Sequence, residues 1–348
     1  MQKEIFIHIG THKTGTTSIQ NALMKHSKAL KKSSAKFINL YNFEAAHDLM
    51  MLEQANDKIS SDLKTFIDSR LEDDIQKYII CCEYLSGNPK SLYANSAEVA
   101  KVLFNALSDF SMKKIFVVLR HQEQFIQSIY TQYLHQGEQI EIERFMQKHL
   151  LSNLKWTQFC KSYGVLFGDD NIFAVPYDKA ILESKNLINI LGDFTSIDVL
   201  KTLNLENYNQ GYSKKAAEIA KACTPYLSNE ENNILRSLMQ KHFHKAKFSR
   251  YKLLNDEQVS GLNEFYEADN EELFKTRFSN FQIENFSQFD EEQQTNELEI
   301  TDNYEKLIVL LVKELNKMPD AQIITQPSQL NRTKTKLKKV LKRIIGRK

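Results

Sequence analysis

Short apolar runs alternate with amphipathic segments through the first half of the chain. The runs are continuous, as in Glu4–Ile9, and the segments between them have helical spacing, as with Ile19, Leu23 and Leu30. Continuous apolar strands separated by helices are typical of a parallel sheet covered on both faces, so the pattern predicts an α/β fold. The predicted strands are Glu4–Ile9, Lys36–Leu40, Tyr78–Cys82, Lys113–Leu119 and Asn171–Pro176, and the predicted helices are Thr16–Lys31, Ser61–Gln76, Ser96–Phe110 and Gln122–Gln136.

Beyond Ala180 the pattern is helical, which predicts a helical cap from about residue 181 on an α/β domain spanning residues 1–280. Residues 281–300 contain six acidic residues and no basic one, as expected of a solvated polar segment. A further helix is predicted at Thr301–Met318, where Pro319 ends it. The helices predicted within the cap are Leu187–Phe194, Ser213–Leu227, Asn229–His244 and Asp256–Phe274.

Charge is distributed unevenly along the 348 residues. The formal net charge is +2, yet Asn331–Lys348 contains nine basic residues and no acidic one, so residues 1–330 carry −7. Apolar residues at positions 337, 340, 341, 344 and 345 form a helical stripe in this basic tail. The stripe favours an amphipathic helix on an anionic membrane surface. A solvated tail is the main alternative, and nucleic-acid binding is the least favoured one.

The cellular compartment is indicated by the cysteines and by the start of the chain. The four cysteines show neither a disulfide framework nor zinc-ligand spacing, which favours a reducing cytoplasm. The first residues lack the pattern of a signal peptide, and no apolar run approaches the roughly 20 residues of a membrane span. We therefore expect a cytoplasmic protein that the tail could dock on the inner membrane face.

Two of the ten glycines stand between the first predicted strand and the first predicted helix. Gly10 and Gly15 allow a tight turn with inward-pointing N–H groups, and the helix that follows offers its positive N-terminal end to an anion. The P-loop pattern G-x4-G-K-[ST] is matched at both glycines and at Thr17, but Thr16 replaces its lysine and Lys13 lies inside the loop. The segment predicts a phosphate-type anion site, and the moved lysine disfavours a conventional ATPase or kinase.

Residues 8–20 resemble the 5′-phosphosulfate loop of sulfotransferases that use 3′-phosphoadenosine 5′-phosphosulfate (PAPS). The strand that ends Val-Val-Leu-Arg at Arg120, followed by Ser128, is similar to the 3′-phosphate motif of that family. The resemblance covers about residues 1–180, and the chain is most similar to bacterial members that act on polysaccharides or glycolipids. It implies a P-loop-like sheet, PAPS as co-substrate and no required metal. The cofactor-binding residues that it implies are Gly10, His12, Lys13, Thr14, Gly15, Thr16, Thr17, Arg120 and Ser128.

Sulfuryl transfer requires stabilisation of the leaving phosphate and a base for the proton of the acceptor. Lys13 is the candidate for the first role. Glu83 follows the third predicted strand at the carboxyl edge, where open α/β sheets place their sites, and it resembles the glutamate base of polysaccharide-directed sulfotransferases. His12 and His121 are competing bases, with a binding role or plain solvent exposure as alternatives.

The sequence thus predicts a sulfotransferase with a saccharide or glycolipid acceptor. Ser18 stands where many cytosolic members have an adenine-stacking tryptophan, so the adenine pocket is unassigned and aryl or steroid acceptors are disfavoured. A P-loop small-molecule kinase or nucleotidase is the rival enzyme class. A nucleotide-binding membrane adaptor without turnover is the non-catalytic alternative.

Overall fold

A computed structural model describes residues 3–135, 140–148, 151–205, 219–220, 223, 227–242, 253–281 and 283. These residues contain a five-stranded parallel sheet with the strand order β2-β3-β1-β4-β5. Its strands are β1 (Glu4–Gly10), β2 (Ala35–Ile38), β3 (Lys77–Cys81), β4 (Met112–Leu119) and β5 (Ile172–Pro176). The helices are α1 (Thr16–Lys25), α2 (Ser27–Lys32), α3 (Ala46–Met50), α4 (Asp57–Asp68), α5 (Ser96–Ala106), α6 (Gln122–His135), α7 (Ile142–Lys148), α8 (Trp156–Phe167), α9 (Lys179–Ser184), α10 (Leu187–Thr195), and two further helices at Asn229–His242 and Asp256–Thr276.

The burial of β1 explains its central position in the sheet. Ile5, Ile7 and Ile9 are fully buried towards one face, and Phe6 and His8 are buried towards the other. A strand that is apolar on both faces has to be covered on both, which a parallel sheet with flanking helices provides. Since β3 and β4 pair with β1 on either side, the residues that follow these three strands lie next to one another at one edge.

The predicted parallel α/β sheet is confirmed, and two predicted helices are wrong in their bounds. Thr16–Lys31 is not continuous, because α1 ends at Lys25 and a new helix begins after His26. The helix predicted over Ser61–Gln76 instead begins at Asp57, where the side chain of Asn56 accepts a hydrogen bond from Ile59 N. This N-cap satisfies a backbone donor of the first turn and sets the start of the helix.

The chain divides into two compact units. The first comprises Met1–Tyr130, Glu141–Asn209 and Leu253–Phe289 and contains the whole sheet; the second includes the helix Asn229–His242. Among the residues that the structure describes, no helix is long and apolar enough to span a membrane. Most of the predicted Ser213–Leu227 helix lies outside the described residues, as do nearly all of the acidic segment 281–300, the predicted helix Thr301–Met318 and the basic tail.

A buried carboxylate joins three helices of the first unit. Asp269, in the helix Asp256–Thr276, accepts hydrogen bonds from Trp156 N (2.8 Å) and from Thr157 N (3.2 Å) and Oγ1. It also accepts from Gln122 Nε2 (3.2 Å), at the start of α6. The carboxylate thus caps α8 and holds the N-terminus of α6, which follows β4 directly.

We expect Asp269→Ala to lower the free energy of unfolding by about 2–4 kcal/mol, because several buried donors would lose their acceptor together. The measurement is a urea titration followed by circular dichroism. Asp109→Ala is the matched control, since Asp109 pairs with Lys64 on the surface, and a change within about 0.5 kcal/mol is expected. Equal losses in the two variants would contradict a structural role for the Asp269 cluster.

Candidate active site

At two positions of the loop between β1 and α1, the backbone has a conformation that only glycine adopts easily. Gly10 has φ +83° and Gly15, the N-cap of α1, has φ +88°. Between them Lys13 takes φ +66°, a left-handed conformation that strains a residue with a side chain. The loop is therefore held in a strained shape by its surroundings, a property that clusters at functional sites.

Buried hydrogen bonds fix the loop to β4, to Tyr93 and within itself. Thr11 Oγ1 donates to Val118 O in β4 (2.9 Å), and Thr14 Oγ1 donates to Thr11 O (2.6 Å). The hydroxyl of Tyr93 accepts from His12 N (2.9 Å) and lies 3.1 Å from His12 Nδ1. The side chains of Thr11, His12 and Thr14 thus brace the loop from within the protein.

The first turn of α1 has the features of an anion cradle. The N–H groups of a first helical turn have no intrahelical acceptors, and no side chain caps this helix. The hydroxyl oxygen of Thr16 is buried and has no hydrogen-bond partner among the described residues. Such a donor costs about 1–3 kcal/mol when it is left unsatisfied, so a bound oxyanion fits the position.

Glu83 lies directly beside this cradle. A Cβ atom placed on Gly10 would lie 3.0 Å from both Cα and Cβ of Glu83 and 3.3 Å from Thr16 Oγ1. A side chain at position 10 would crowd the Glu83 backbone and would also be strained by the φ of +83°, so glycine suits this close approach. Glu83 is half-buried, and the next side chain to contact it is Gln20, whose Nε2 is 3.5 Å from Glu83 Oε2.

Arg120 lies on the opposite flank of the loop, at the end of β4. Its side chain is buried, Nε donates to Gln124 Oε1 (3.3 Å), and the guanidinium carbon is 5.5 Å from the centre of the Tyr177 ring. Burial lowers the pKa of the guanidinium, and Tyr177 and Glu123 partly offset that effect. Within the described parts of the chain Arg120 forms no ion pair with a carboxylate, so a buried cation is available to an anionic ligand.

Ser128 lies on the Arg120 side of the site. It is half-buried and follows Gln124, which contacts Arg120, by four residues in α6. Side chains four residues apart share one face of a helix, so Ser128 and Gln124 point in the same direction. The structure is therefore consistent with Arg120 and Ser128 contributing to one pocket.

The two histidines that compete with Glu83 for the role of base are both buried. Burial, with the charge of Lys13, lowers the pKa of His12 to about 3, and burial lowers the pKa of His121 to about 4. Both rings are therefore neutral at pH 7, and the expectation that they could face solvent is wrong. His8, in β1, is also buried, with Nδ1 2.9 Å from Cys81 Sγ and a pKa lowered to about 3, as expected of a core histidine.

The structure brings the predicted site residues together along one edge of the sheet. Glu83 follows β3, the loop from Gly10 to Thr17 follows β1, and Arg120 follows β4. Because adjacent strands are about 4.8 Å apart, the two flanks are separated by about 10 Å of backbone. An elongated anion with a charged group at each end would fit such a site.

Some side chains at the site carry no local sequence signal. Tyr93 lies between β3 and α5 in the sequence, and its hydroxyl contacts His12 of the loop, 81 residues away. Trp156, the only tryptophan of the chain, donates from Nε1 to Arg120 O (2.8 Å). Gln20 Nε2 lies 3.5 Å from Glu83 Oε2. Only the position of Gln20, four residues after Thr16 on the same face of α1, could have indicated its role.

No protein-family model matches this chain, and no curated protein matches its sequence. A sulfotransferase from Alicyclobacillus acidocaldarius is 12% identical, with a TM-score of 0.43 over 83% of this chain and 100% of that one. Retinol dehydratase, solved with androsterone and the inactive cofactor PAP, is 10% identical, with a TM-score of 0.34 over 76% and 80% of the two chains. Likeness this low says nothing about the reaction, so conclusions on function depend on the residues of this chain.

Proposed function

We propose that this protein transfers a sulfuryl group from PAPS to a hydroxyl or amine of a saccharide or glycolipid. The observation that carries the proposal is the buried Arg120, which forms no salt bridge with the carboxylates that the structure describes and lies one strand away from the glycine loop. A cationic side chain near a phosphate-binding loop suits a nucleotide that has a phosphate on its ribose as well as at its 5′ end.

PAPS fits the residues present. The backbone of the loop from Gly10 to Thr17 and the hydroxyl of Thr16 would hold the 5′-phosphosulfate, because no side chain caps α1 and the buried Thr16 Oγ1 has no partner among the described residues. Arg120 and Ser128 would hold the 3′-phosphate through charge-assisted and hydroxyl hydrogen bonds. No cluster of three or more His, Cys, Asp or Glu side chains that could hold a metal occurs in the described residues. Metal independence stays a prediction.

Two side chains would carry the chemistry. When bound, PAPS supplies a sulfuryl group whose bond to phosphate breaks as the bond to the acceptor forms. Lys13, half-buried in the loop, would stabilise the negative charge that develops on the phosphate oxygen. Glu83, beside Gly10 and Thr16, would take the proton of the acceptor.

A saccharide acceptor is supported by the surface next to Glu83. Tyr41, Tyr84 and His47 form an aromatic row there, with ring centroids 5.2 Å apart for the first pair and 5.8 Å for the second. Tyr41 is 39% exposed. Amphipathic rings offer an apolar face together with polar tips, which matches the mixed surface of a sugar. Docking of the basic tail on anionic lipid stays a prediction from the sequence.

The proposal is tested by calorimetry with adenosine 3′,5′-bisphosphate (PAP), the desulfated product. We expect wild-type protein to bind PAP in the presence of EDTA and more tightly than AMP, which lacks the 3′-phosphate. Arg120→Met is expected to weaken PAP binding by about 30-fold or more, because a buried charge pair would lose one partner. AMP binding should change little, so the preference for PAP should largely disappear.

Arg144→Met is the matched control, because Arg144 is an exposed arginine of α7. It should leave both affinities unchanged. Tighter binding of magnesium-ATP than of PAP by the wild type would favour the kinase alternative and overturn the proposal. An unchanged PAP preference in Arg120→Met would remove Arg120 from the 3′-phosphate site.

A further inference from the structure

The hydroxyl of Tyr93 holds the phosphate loop at one residue, His12. It accepts a hydrogen bond from His12 N (2.9 Å), and it lies 3.1 Å from Nδ1 of the same histidine. Tyr93 and His12 are both buried, so these contacts are shielded from water. His12 is followed by Lys13, whose backbone is left-handed. Tyr93 thus fixes the point from which the strained part of the loop begins.

A packed cluster of aromatic rings keeps the Tyr93 side chain in place. The centroid of its ring lies 5.5 Å from those of Phe125 and Phe159 and 6.1 Å from that of Trp156. All four side chains are buried, and a close-packed ring cannot move without disturbing its neighbours. Trp156 also donates from Nε1 to Arg120 O (2.8 Å), so one cluster of rings supports both the loop and Arg120.

The backbone of Tyr93 is itself strained. Leu92 has φ +53° and Tyr93 has φ +63°, both in the left-handed region that bulky side chains rarely adopt. Two hydrogen bonds keep the segment in this shape: Tyr93 N donates to Asn88 O (2.9 Å), and Ser96 N donates to Tyr93 O (3.0 Å). Such conformations persist only where the surrounding structure determines them, and they cluster at functional sites. The strained segment around Tyr93 thus contacts the loop next to Lys13, whose backbone is strained as well.

We propose that Tyr93 is a positioning residue that acts through His12 to hold Lys13 against the leaving phosphate. This inference rests on the proposed sulfuryl transfer and adds the residue that places its cation. Without the hydroxyl, His12 N loses its acceptor and the loop relaxes from its strained shape, so a nucleotide has to restore that shape when it binds. Misplacement of a reacting group by about 1 Å can cost about 100-fold in rate.

The kinetic test compares Tyr93→Phe with Tyr78→Phe, since both changes remove one hydroxyl and keep the ring. Tyr78 is also buried and its hydroxyl also accepts from a backbone N–H, that of Glu72 (2.8 Å), but it lies at the end of β3 remote from Glu83. With radiolabelled PAPS and a saturating saccharide fraction of the cell envelope, we expect Tyr93→Phe to lower kcat about 10- to 100-fold. Tyr78→Phe should keep the wild-type kcat. Full kcat in Tyr93→Phe, or an equal loss in Tyr78→Phe, would overturn the inference.

A double variant separates action through Lys13 from a general loss of structure. If Tyr93 acts through Lys13, adding Tyr93→Phe to Lys13→Met should lower kcat no further than Lys13→Met alone, because the charge that Tyr93 positions is already absent. Losses that multiply in the double variant would contradict a role through Lys13.

Binding of nucleotides gives a readout that does not depend on turnover. In calorimetry, Tyr93→Phe is expected to weaken PAP and AMP by the same factor, about 3- to 10-fold, because both nucleotides place a phosphate in the loop. Tyr78→Phe should leave both affinities unchanged. A loss confined to PAP would place the effect of Tyr93 at the 3′-phosphate and overturn the inference.

Hydrogen exchange tests the contact without any ligand. In mass spectrometry of peptides that cover residues 8–20, we expect amide exchange about ten times faster or more in Tyr93→Phe and at the wild-type rate in Tyr78→Phe. Unchanged exchange in Tyr93→Phe would refute its hold on the loop. The two proposals fail separately: wild-type protein that neither binds PAP nor transfers sulfate overturns both, whereas active wild type with an equally active Tyr93→Phe overturns only the positioning role.

Discussion

Glu83→Gln is expected to lower kcat for sulfate transfer by about 100- to 10,000-fold, the range that general-base groups contribute. The amide keeps the size of the side chain and its contact with Gln20, but it cannot take a proton from the acceptor. PAP binding should stay within about twofold of the wild type, because the loop and Arg120 are unchanged. The measurement is transfer of radiolabelled sulfate from PAPS to envelope saccharides, with calorimetry for PAP.

Glu44→Gln is the control for this prediction, since Glu44 is an exposed carboxylate three residues after Tyr41. It should leave turnover unchanged. Full turnover in Glu83→Gln would assign the base to another group. A loss of PAP affinity equal to the loss of kcat would mean that Glu83 supports binding and not proton transfer.

Lys13→Met is expected to lower kcat by about 100- to 1,000-fold. This is the usual cost of losing one hydrogen-bond donor that stabilises the charge developing in the transition state. Lys13 is the only residue between Gly10 and Gly15 with a positive φ, and it is half-buried in the loop. Methionine keeps the apolar stem and removes the charge. Turnover is measured as for Glu83→Gln.

The control for Lys13 is Lys28→Met, which removes an exposed charge of α2. It should leave both kcat and PAP affinity unchanged. If Lys13→Met lost PAP affinity but kept kcat at saturating PAPS, Lys13 would be a ground-state binding residue. Its proposed role at the leaving phosphate would then be wrong.

The sheet could be predicted from the sequence because buried parallel strands produce continuous apolar runs. The break after Lys25 could not, since the chain has no proline or glycine there and His26 N still donates to Ala22 O within a nearly continuous helix. The helix Trp156–Phe167 was missed as well. It buries Phe159 and Tyr163 among its apolar residues, and its start depends on Asp269, which lies 113 residues from Trp156.

The residues of the candidate site also include some that the sequence could predict and some that it could not. Gly10, Gly15 and Lys13 form one local motif, so spacing alone could identify them. The residues that support the site could not be identified, because Tyr93 meets the loop at His12 and Trp156 meets Arg120 only in the folded chain. Burial of His12 and His121 is likewise a result of tertiary packing, which explains why solvent exposure was a reasonable but wrong expectation.

The most direct test of sulfuryl transfer is the fate of radiolabelled sulfate when purified full-length protein is incubated with labelled PAPS and an envelope saccharide fraction. We expect label to move from PAPS to the saccharides, PAP to accumulate in equal amount, and Glu83→Gln nearly to abolish both. Protein that binds PAP yet leaves all label on PAPS, or that transfers label equally well with Glu83→Gln and Lys13→Met, would contradict this expectation.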